Sequence, residues 1–124
     1  QNVLADISMN PFIQYTSYED IFIREKKTWL QALAQAVSFT EDNFSGIEID
    51  TDSIENVLSS ACTPAGVTVL QARQYVRFTA AHARVAYLHI CEGASQLADG
   101  RKDESTGKLL SYLVSDFVKG MNER

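Results

Sequence analysis

The hydrophobic positions follow two different periods along the chain, and these periods predict a series of strands and helices. Segments that alternate apolar and polar residues, or that are rich in β-branched residues, are typical of strands. They occupy residues 3–8, 20–25, 46–50 and 85–93. Segments whose apolar residues recur every three or four positions are typical of helices. They occupy residues 28–38, 68–83 and 108–121.

The predicted helices carry distinct local signals. The first begins at Thr28 with Gln31 three positions later, and the second repeats this pattern with Thr68 and Gln71. Both pairs match a capping box, in which the two side chains bond the free backbone N–H groups of the first turn. The third helix has the clearest apolar face, formed by Leu109, Leu110, Leu113, Val114, Phe117, Val118 and Met121.

The order of these elements predicts the fold class. Strand, strand, helix, strand, helix, strand, helix is the alternation that gives parallel strands joined by crossover helices. The chain has 124 residues, which suffices for one domain but not for two. We therefore expect residues 1–124 to form a single α/β domain with a mostly parallel sheet. The polar connection 94–107 is expected to be flexible.

Three acidic residues follow predicted strands. Asp50 and Asp52 come at the end of strand 46–50, and Glu92 comes at the end of strand 85–93. Open α/β sheets bind ligands beyond the carboxyl ends of their strands, so the three carboxylates are expected to converge there. Strand alternation would point Asp50 and Asp52 the same way, an arrangement that suits Mn²⁺ or Mg²⁺. The two aspartates could instead cap a turn and face water.

The charge and the apolar distribution exclude several classes of partner. The net charge is −5 and no basic stripe is present, which argues against nucleic acid. No apolar run is long enough for a transmembrane helix, and we expect neither a polybasic anchor nor a signal peptide. Cys62 and Cys91 are too few for a disulfide scaffold. They are expected to be reduced, small buried residues in a cytoplasmic protein.

An ordered set of motifs resembles the arginase–agmatinase–formimidoylglutamase family of ureohydrolases. The stretch IEIDTDSIENVLSSACTPAGVT is similar to the family's second metal-binding signature, Asp-x-Asp-x-x-Asp-Pro followed by a Thr-Pro-x-x-Gly-Gly loop. Asp50 and Asp52 match the two metal-binding aspartates, whereas Glu55 and Asn56 replace the usual third Asp and the Pro. Thr63-Pro64 and Gly66 match the loop end. The stretch YLHICEGA resembles the next strand, whose terminal Glu corresponds to Glu92, and GKLLSYLVSDFVKG resembles the closing helix.

The resemblance implies a fold, a cofactor and roles for individual residues. The fold would be the three-layer α/β/α fold of arginases, of which this chain would be the C-terminal part. Two Mn²⁺ ions would activate water, with Asp50 bridging both ions and Asp52 binding one. Glu92 would pair with the cationic nitrogen group of the substrate. Glu55 would support the loop through hydrogen bonds, and Thr63 would make a polar contact near the site, although a simple turn role is favoured for Thr63.

The same resemblance implies a substrate and leaves alternative functions open. The C-terminal stretch is most similar to bacterial formimidoylglutamases, which hydrolyse N-formimidoyl-L-glutamate in histidine breakdown. Agmatinase or another ureohydrolase is the rival within the enzyme class, and a non-catalytic α/β interaction domain is the rival outside it. The partner would be a small amidine or guanidine. The full-length protein would be a homo-oligomer, as is common in the family.

Part of the family's metal site is absent from this sequence. Family members are much longer, and their earlier half carries Gly-Gly-x-His and Asp-x-His-x-x-Asp elements that supply further ligands. Neither element occurs here. His82 is expected to be an exposed or packed helix residue, and His89 a core or helix-facing residue. Arg73 and Arg77 are candidates for binding a substrate carboxylate, but solvation at the surface is the favoured role for both.

Overall fold

The computed structural model describes residues 3–124 and contains four α-helices and two β-strands within that range. In chain order these are α1 (Val3–Met9), α2 (Trp29–Phe39), β1 (Ser45–Asp50), α3 (Val69–His82), β2 (Val85–Cys91) and α4 (Ser105–Asn122). A π-helical turn covers Glu19–Ile23, and a 3₁₀ turn covers Thr51–Ser53.

The two strands are neighbours and run parallel, as the order of elements predicted. Ile47 lies opposite Leu88, Ile49 opposite Ile90 and Asp50 opposite Cys91. Helix α3 is the crossover between them, because parallel strands need a long connection. The mixed α/β class with parallel strands is therefore confirmed. Both strands end at the same edge of the sheet, which brings the segments after Asp50 and Cys91 together.

One face of the sheet packs against α3 and α4. The buried side chains of this core come from both strands, from both helices and from the loop after β1. They are Ile47, Ile49, Ile54, Val57, Ala72, Val76, Ala80, Ala83, Val85, Leu109 and Leu113. Ile47, Val76 and Leu113 are completely buried, so each helix contributes its apolar stripe to one shared core.

A buried ion pair and a close backbone approach hold α3 against α4. The Asp116 carboxylate is 4% exposed and accepts bonds from Arg73 Nε (2.7 Å) and Nη2 (3.3 Å), with Arg77 Nη1 at 3.7 Å. A Cβ at Gly120 would lie 2.7 Å from both the Ala80 Cβ and the Arg77 carbonyl oxygen, so only glycine fits there. The expectation that Arg73 and Arg77 are merely solvated is wrong, because both side chains neutralise a buried carboxylate.

Helices α2 and α3 begin as their capping boxes predict. The Gln31 backbone N–H donates to Thr28 Oγ1 (3.1 Å), and the Thr28 N–H donates to Gln31 Oε1 (2.8 Å). The equivalent bonds between Thr68 and Gln71 are 3.0 and 2.9 Å. Each pair satisfies two N–H groups that a helix start leaves free, which explains why both helix starts could be read from the sequence.

The two strands predicted near the N-terminus are wrong. Residues 3–8 lie in helix α1, which buries no residue, and residues 20–25 overlap the π-helical turn. In that turn Ile21 is buried, whereas Ile23 is 68% exposed, so the alternation does not mark one buried face. A strand also needs a partner for its backbone groups, and neither segment pairs with β1 or β2. Both segments therefore bond locally.

The second face of the sheet is polar and open to solvent within residues 3–124. Glu48 Oε2 lies 2.6 Å from His89 Nδ1 across the two strands, and the two side chains are 57% and 59% exposed. The expectation that His89 faces the core or a helix is wrong, because the inward positions of β2 are those of Leu88 and Ile90. Helices α3 and α4 thus form a layer on one face of the sheet.

Candidate functional site

The carboxyl end of β1 is shaped by hydrogen bonds that Asp50 and Thr51 make. Asp50 is exposed, and its Oδ1 accepts the backbone N–H of Asp52 (2.9 Å), which caps the 3₁₀ turn. Thr51 is fully buried, and its hydroxyl donates to the Cys91 carbonyl oxygen (3.1 Å). This bond ties the end of β1 to the end of β2, so the backbone that carries the acids is fixed.

Asp52 lies in the 3₁₀ turn beyond the strand. The strand ends at Asp50, so strand alternation does not set the direction of the Asp52 side chain, contrary to the sequence argument. The Asp52 carboxylate is partly buried, and its Oδ1 is buried without a hydrogen-bond partner among the residues described. A buried oxygen without a partner costs about 1–3 kcal/mol. Asp52 therefore has an acceptor that a cation or a donor would satisfy.

Glu92 directly follows β2 in a strained backbone conformation. It is exposed, and its φ angle is +61°, in the left-handed region that non-glycine residues rarely adopt. Such strain costs on the order of 1–2 kcal/mol and often accompanies a functional position. This left-handed conformation turns the chain sharply at the carboxyl end of β2, next to the turn that follows β1.

The pKa of the Cys91 thiol reflects the negative charge at this edge of the sheet. Partial burial raises the pKa of the Cys91 thiol, and the nearby carboxylates of Asp50 and Glu92 raise that pKa further. Both acids therefore act on the same group, which remains a neutral thiol. Cys91 is half-buried, whereas Cys62 is exposed. The expectation that both cysteines are buried is accordingly wrong for Cys62, which lies in the polar loop.

The loop after Asp52 folds back on itself. The backbone N–H of Glu55 donates to Val67 O (2.9 Å), and that of Asn56 donates to Thr63 O (2.8 Å). The Thr63 hydroxyl accepts the Ala65 N–H (3.1 Å), which is the turn role favoured for it. Glu55 holds the loop through its backbone, and no side-chain hydrogen bond of Glu55 is present in residues 3–124. A Cβ at Gly66 would lie 2.3 Å from Ser53 O, so this glycine lets the loop close.

Glu92 also lines an open cavity that the sequence did not predict. The cavity has a volume of about 500 Å³ and lies between the loop after β1 and the connection from β2 to α4. Its polar lining residues are Ser59, Ser60, Glu92, Asp99 and Arg101. The sequence offered only Arg73 and Arg77 as basic candidates, whereas the structure brings Arg101 into the same cavity as Glu92. An Asp-Gly-Arg turn was the one local signal for this position.

The acids fit part of a site for a hard cation. Asp50 and Asp52 offer carboxylate oxygens, which are suitable ligands for Mn²⁺ and Mg²⁺, and the buried Asp52 Oδ1 has no hydrogen-bond partner in the described part of the chain. No group of three or more His, Cys, Asp and Glu side chains that could hold a metal ion forms within residues 3–124. A complete ligand shell therefore needs donors besides those that this range brings together.

Comparisons with protein-family models, with curated proteins and with solved structures found no match. Among the helices within residues 3–124, none has the length and the apolar character needed to cross a membrane. Function is therefore inferred from the residues and from the geometry of the carboxyl edge of the sheet.

Proposed function

We propose that this chain is the C-terminal part of a two-metal hydrolase that cleaves linear C–N bonds of amidines, with N-formimidoyl-L-glutamate as its substrate. The observation that carries the proposal is the juxtaposition at the carboxyl edge of the sheet. Asp50 and the partnerless oxygen of Asp52 follow β1, and Glu92 follows the neighbouring parallel strand β2. The motif order that resembles ureohydrolases supports the same assignment.

Asp50 and Asp52 would hold the metal in this proposal. Two Mn²⁺ ions, when bound, lower the pKa of water and supply the nucleophile. Asp52 Oδ1, which has no hydrogen-bond partner among residues 3–124, would be a ligand of such an ion. The hydrogen bond from Thr51 to Cys91 O fixes the backbone between the two acids. Further ligands would come from a preceding part of the protein.

Glu92 would bind the cationic amidine in this proposal. A carboxylate and an amidinium form charge-assisted, paired hydrogen bonds, which orient the carbon that water attacks. Hydrolysis adds water across the amidine carbon, breaks the bond to the substituted nitrogen, and releases formamide and glutamate. Glu55 and Thr63 would act through the shape of the loop that supports Asp52.

The test is Mn²⁺-dependent hydrolysis by the complete enzyme that the proposal implies. Formimidoylglutamate, agmatine and arginine are compared as substrates, with formamide, urea and the released amine measured. Asp50→Asn and Glu92→Gln should each abolish turnover. Glu41→Gln, which alters an exposed acid in the loop before β1, is the matched control and should retain it.

Each outcome separates the rival functions. Turnover of formimidoylglutamate, lost in both site variants, supports the proposal and its substrate. Turnover of agmatine or arginine instead keeps the hydrolase and replaces the substrate. No turnover of any of the three, together with no Mn²⁺ bound, overturns the hydrolase and favours a non-catalytic interaction domain.

A further inference from the structure

The cavity beside Glu92 contains opposite charges on a structured wall. The connection 94–107 was expected to be flexible, but its central part forms a tight hairpin. Leu97 N–H donates to Arg101 O (2.9 Å), Gly100 N–H donates to Leu97 O (3.0 Å), and Asp103 N–H donates to Ser95 O (2.9 Å). These bonds fix the backbone of Arg101 within the hairpin.

Asp99 holds the guanidinium of Arg101 by one side. Asp99 Oδ2 accepts from Arg101 Nε (2.9 Å), and Asp99 Oδ1 accepts the Arg101 backbone N–H (3.0 Å). The backbone bond from Arg101 and then the bond from its side chain lower the pKa of the Asp99 carboxyl. Asp99 therefore stays ionised and anchors Nε, and the two Nη groups make no hydrogen bond within residues 3–124.

An arginine anchored through Nε presents its two Nη groups as a pair of parallel donors. Such a pair matches the two oxygens of a carboxylate. In the same cavity the Glu92 carboxylate could bind a cation, and Leu97 and Ala98 form an apolar part of the wall. The cavity thus combines a site for a cation, a site for a carboxylate and a surface suited to methylene groups.

We propose that Arg101 determines specificity by binding a carboxylate of the substrate whose amidine pairs with Glu92. This inference rests on the proposed function and names the residue that recognises the carboxylate of its amino-acid-derived substrate. A substrate such as agmatine carries a second cation and no carboxylate, so it has no group that could accept hydrogen bonds from the Arg101 Nη groups. Asp99 is a positioning residue, since it acts by holding Arg101.

The experiment compares two substrates in the complete enzyme. Formimidoylglutamate carries carboxylates, whereas N-butylformamidine keeps the amidine and an alkyl chain without them. Arg101→Gln should raise KM for formimidoylglutamate by about tenfold to a hundredfold, the effect of losing a charge-assisted bond. It should leave kcat for that substrate and KM for N-butylformamidine near their native values. Arg101→Lys should recover part of the loss, because Lys keeps the charge without the paired donors.

The matched control is Arg84→Gln. Arg84 precedes β2 at the opposite end of the sheet, where its guanidinium lies over the Phe44 ring, so its loss should leave both KM values unchanged. If Arg101→Gln raises KM equally for both substrates, or for neither, Arg101 does not bind the carboxylate and the inference is overturned while the hydrolase stands. If the native enzyme hydrolyses neither amidine, the proposed function fails and this inference fails with it.

Discussion

Two buried carboxylate groups in this protein have opposite surroundings. Asp116, between α3 and α4, is bonded through both oxygens by Arg73 and has Arg77 beside it. Asp52, in the turn after β1, has a buried oxygen with no partner among the described residues. Burying a charge is costly unless it is paired. The first carboxylate therefore contributes to a stable helix pair, whereas the second is an unmet acceptor at the edge where ligands bind α/β sheets.

The same contrast extends to the backbone around each acid. The contact between α3 and α4 is packed closely enough to require Gly120, and both helices have ordinary helical geometry. The edge that carries Asp52 has left-handed backbone at Asn56 and Glu92. Strain and an unpaired acceptor together distinguish a region suited to binding from a region that holds the fold together.

The largest expected effect comes from breaking the Asp116 pair. Asp116→Ala should lower the free energy of unfolding by about 3 kcal/mol, because it removes two hydrogen bonds from Arg73 to a buried carboxylate, each worth about 1.5–3 kcal/mol. Urea denaturation measures this change. Glu123→Ala is the control, since it removes a solvent-exposed partner of Arg77 and should lower the free energy of unfolding far less than Asp116→Ala. If both variants lose the same free energy of unfolding, the buried pair of Asp116 contributes no more than the exposed pair of Glu123.

Two glycines of α4 provide the next test. Gly120→Ala should destabilise the protein by about 1–3 kcal/mol, because its Cβ would collide with Ala80 and with the Arg77 backbone. Gly107→Ala meets no atom within 4 Å and should stabilise the helix by up to about 1 kcal/mol. Thermal unfolding of both variants compares them within one helix. Stabilisation by both changes would mean that α3 and α4 do not approach closely at Gly120.

Replacing Asp52 should change the free energy of unfolding in the opposite direction from replacing Asp116. In the presence of EDTA, Asp52→Asn should raise the free energy of unfolding by about 1 kcal/mol, because it removes charge from a buried oxygen that has no partner. Urea denaturation with and without Mn²⁺ tests this, and the variant should lose any stabilisation that Mn²⁺ confers. A loss of stability without metal would instead indicate that Asp52 already has a bonding partner.

The smallest effect concerns the open face of the sheet. The bond to His89, and then that to Tyr87, lower the pKa of Glu48 below the usual glutamate value of 4.5. Because the pKa is lower in the folded protein, this stabilisation is present above that value and is lost as the pH falls through the folded pKa. An NMR titration of Glu48 should report a depressed pKa that returns towards 4.5 in His89→Ala. An unchanged pKa in that variant would contradict the pairing.

The features that sequence could predict are those decided within a few residues. The capping boxes at Thr28 and Thr68 are bonds between positions three apart. The period of α4 correctly predicted that Leu109 and Leu113 are buried, whereas Val114 and Val118 of the predicted face are exposed. The strands before Asp50 and Glu92 were recognisable from β-branched residues, and their parallel order followed from the intervening helix. For the same reason, the strand ends before Asp52 and Glu92 could be predicted to meet at one edge of the sheet, whereas no group of three metal-binding side chains forms within residues 3–124.

Features that depend on distant partners could not be predicted in this way. Residues 3–8 and 20–25 have strand-like patterns, but within residues 3–124 no neighbouring strand accepts their backbone bonds. The pattern of β2 gave no indication that His89 would face solvent and pair with Glu48, a residue 41 positions earlier. Arg73 meets Asp116 across 43 positions, and Arg101 reaches the Glu92 cavity only because its hairpin folds back.

The sequence by itself determined the helix starts, the two paired strands and the acids that follow them, because local bonding and hydrophobic period suffice for these. Tertiary structure decided which charges distant in the sequence are paired. It enclosed Asp116 between two arginines, left an oxygen of Asp52 without a partner among residues 3–124, and placed Arg101 with Glu92. The physical reason is that the energy of a charge depends on burial and on neighbours brought together by folding.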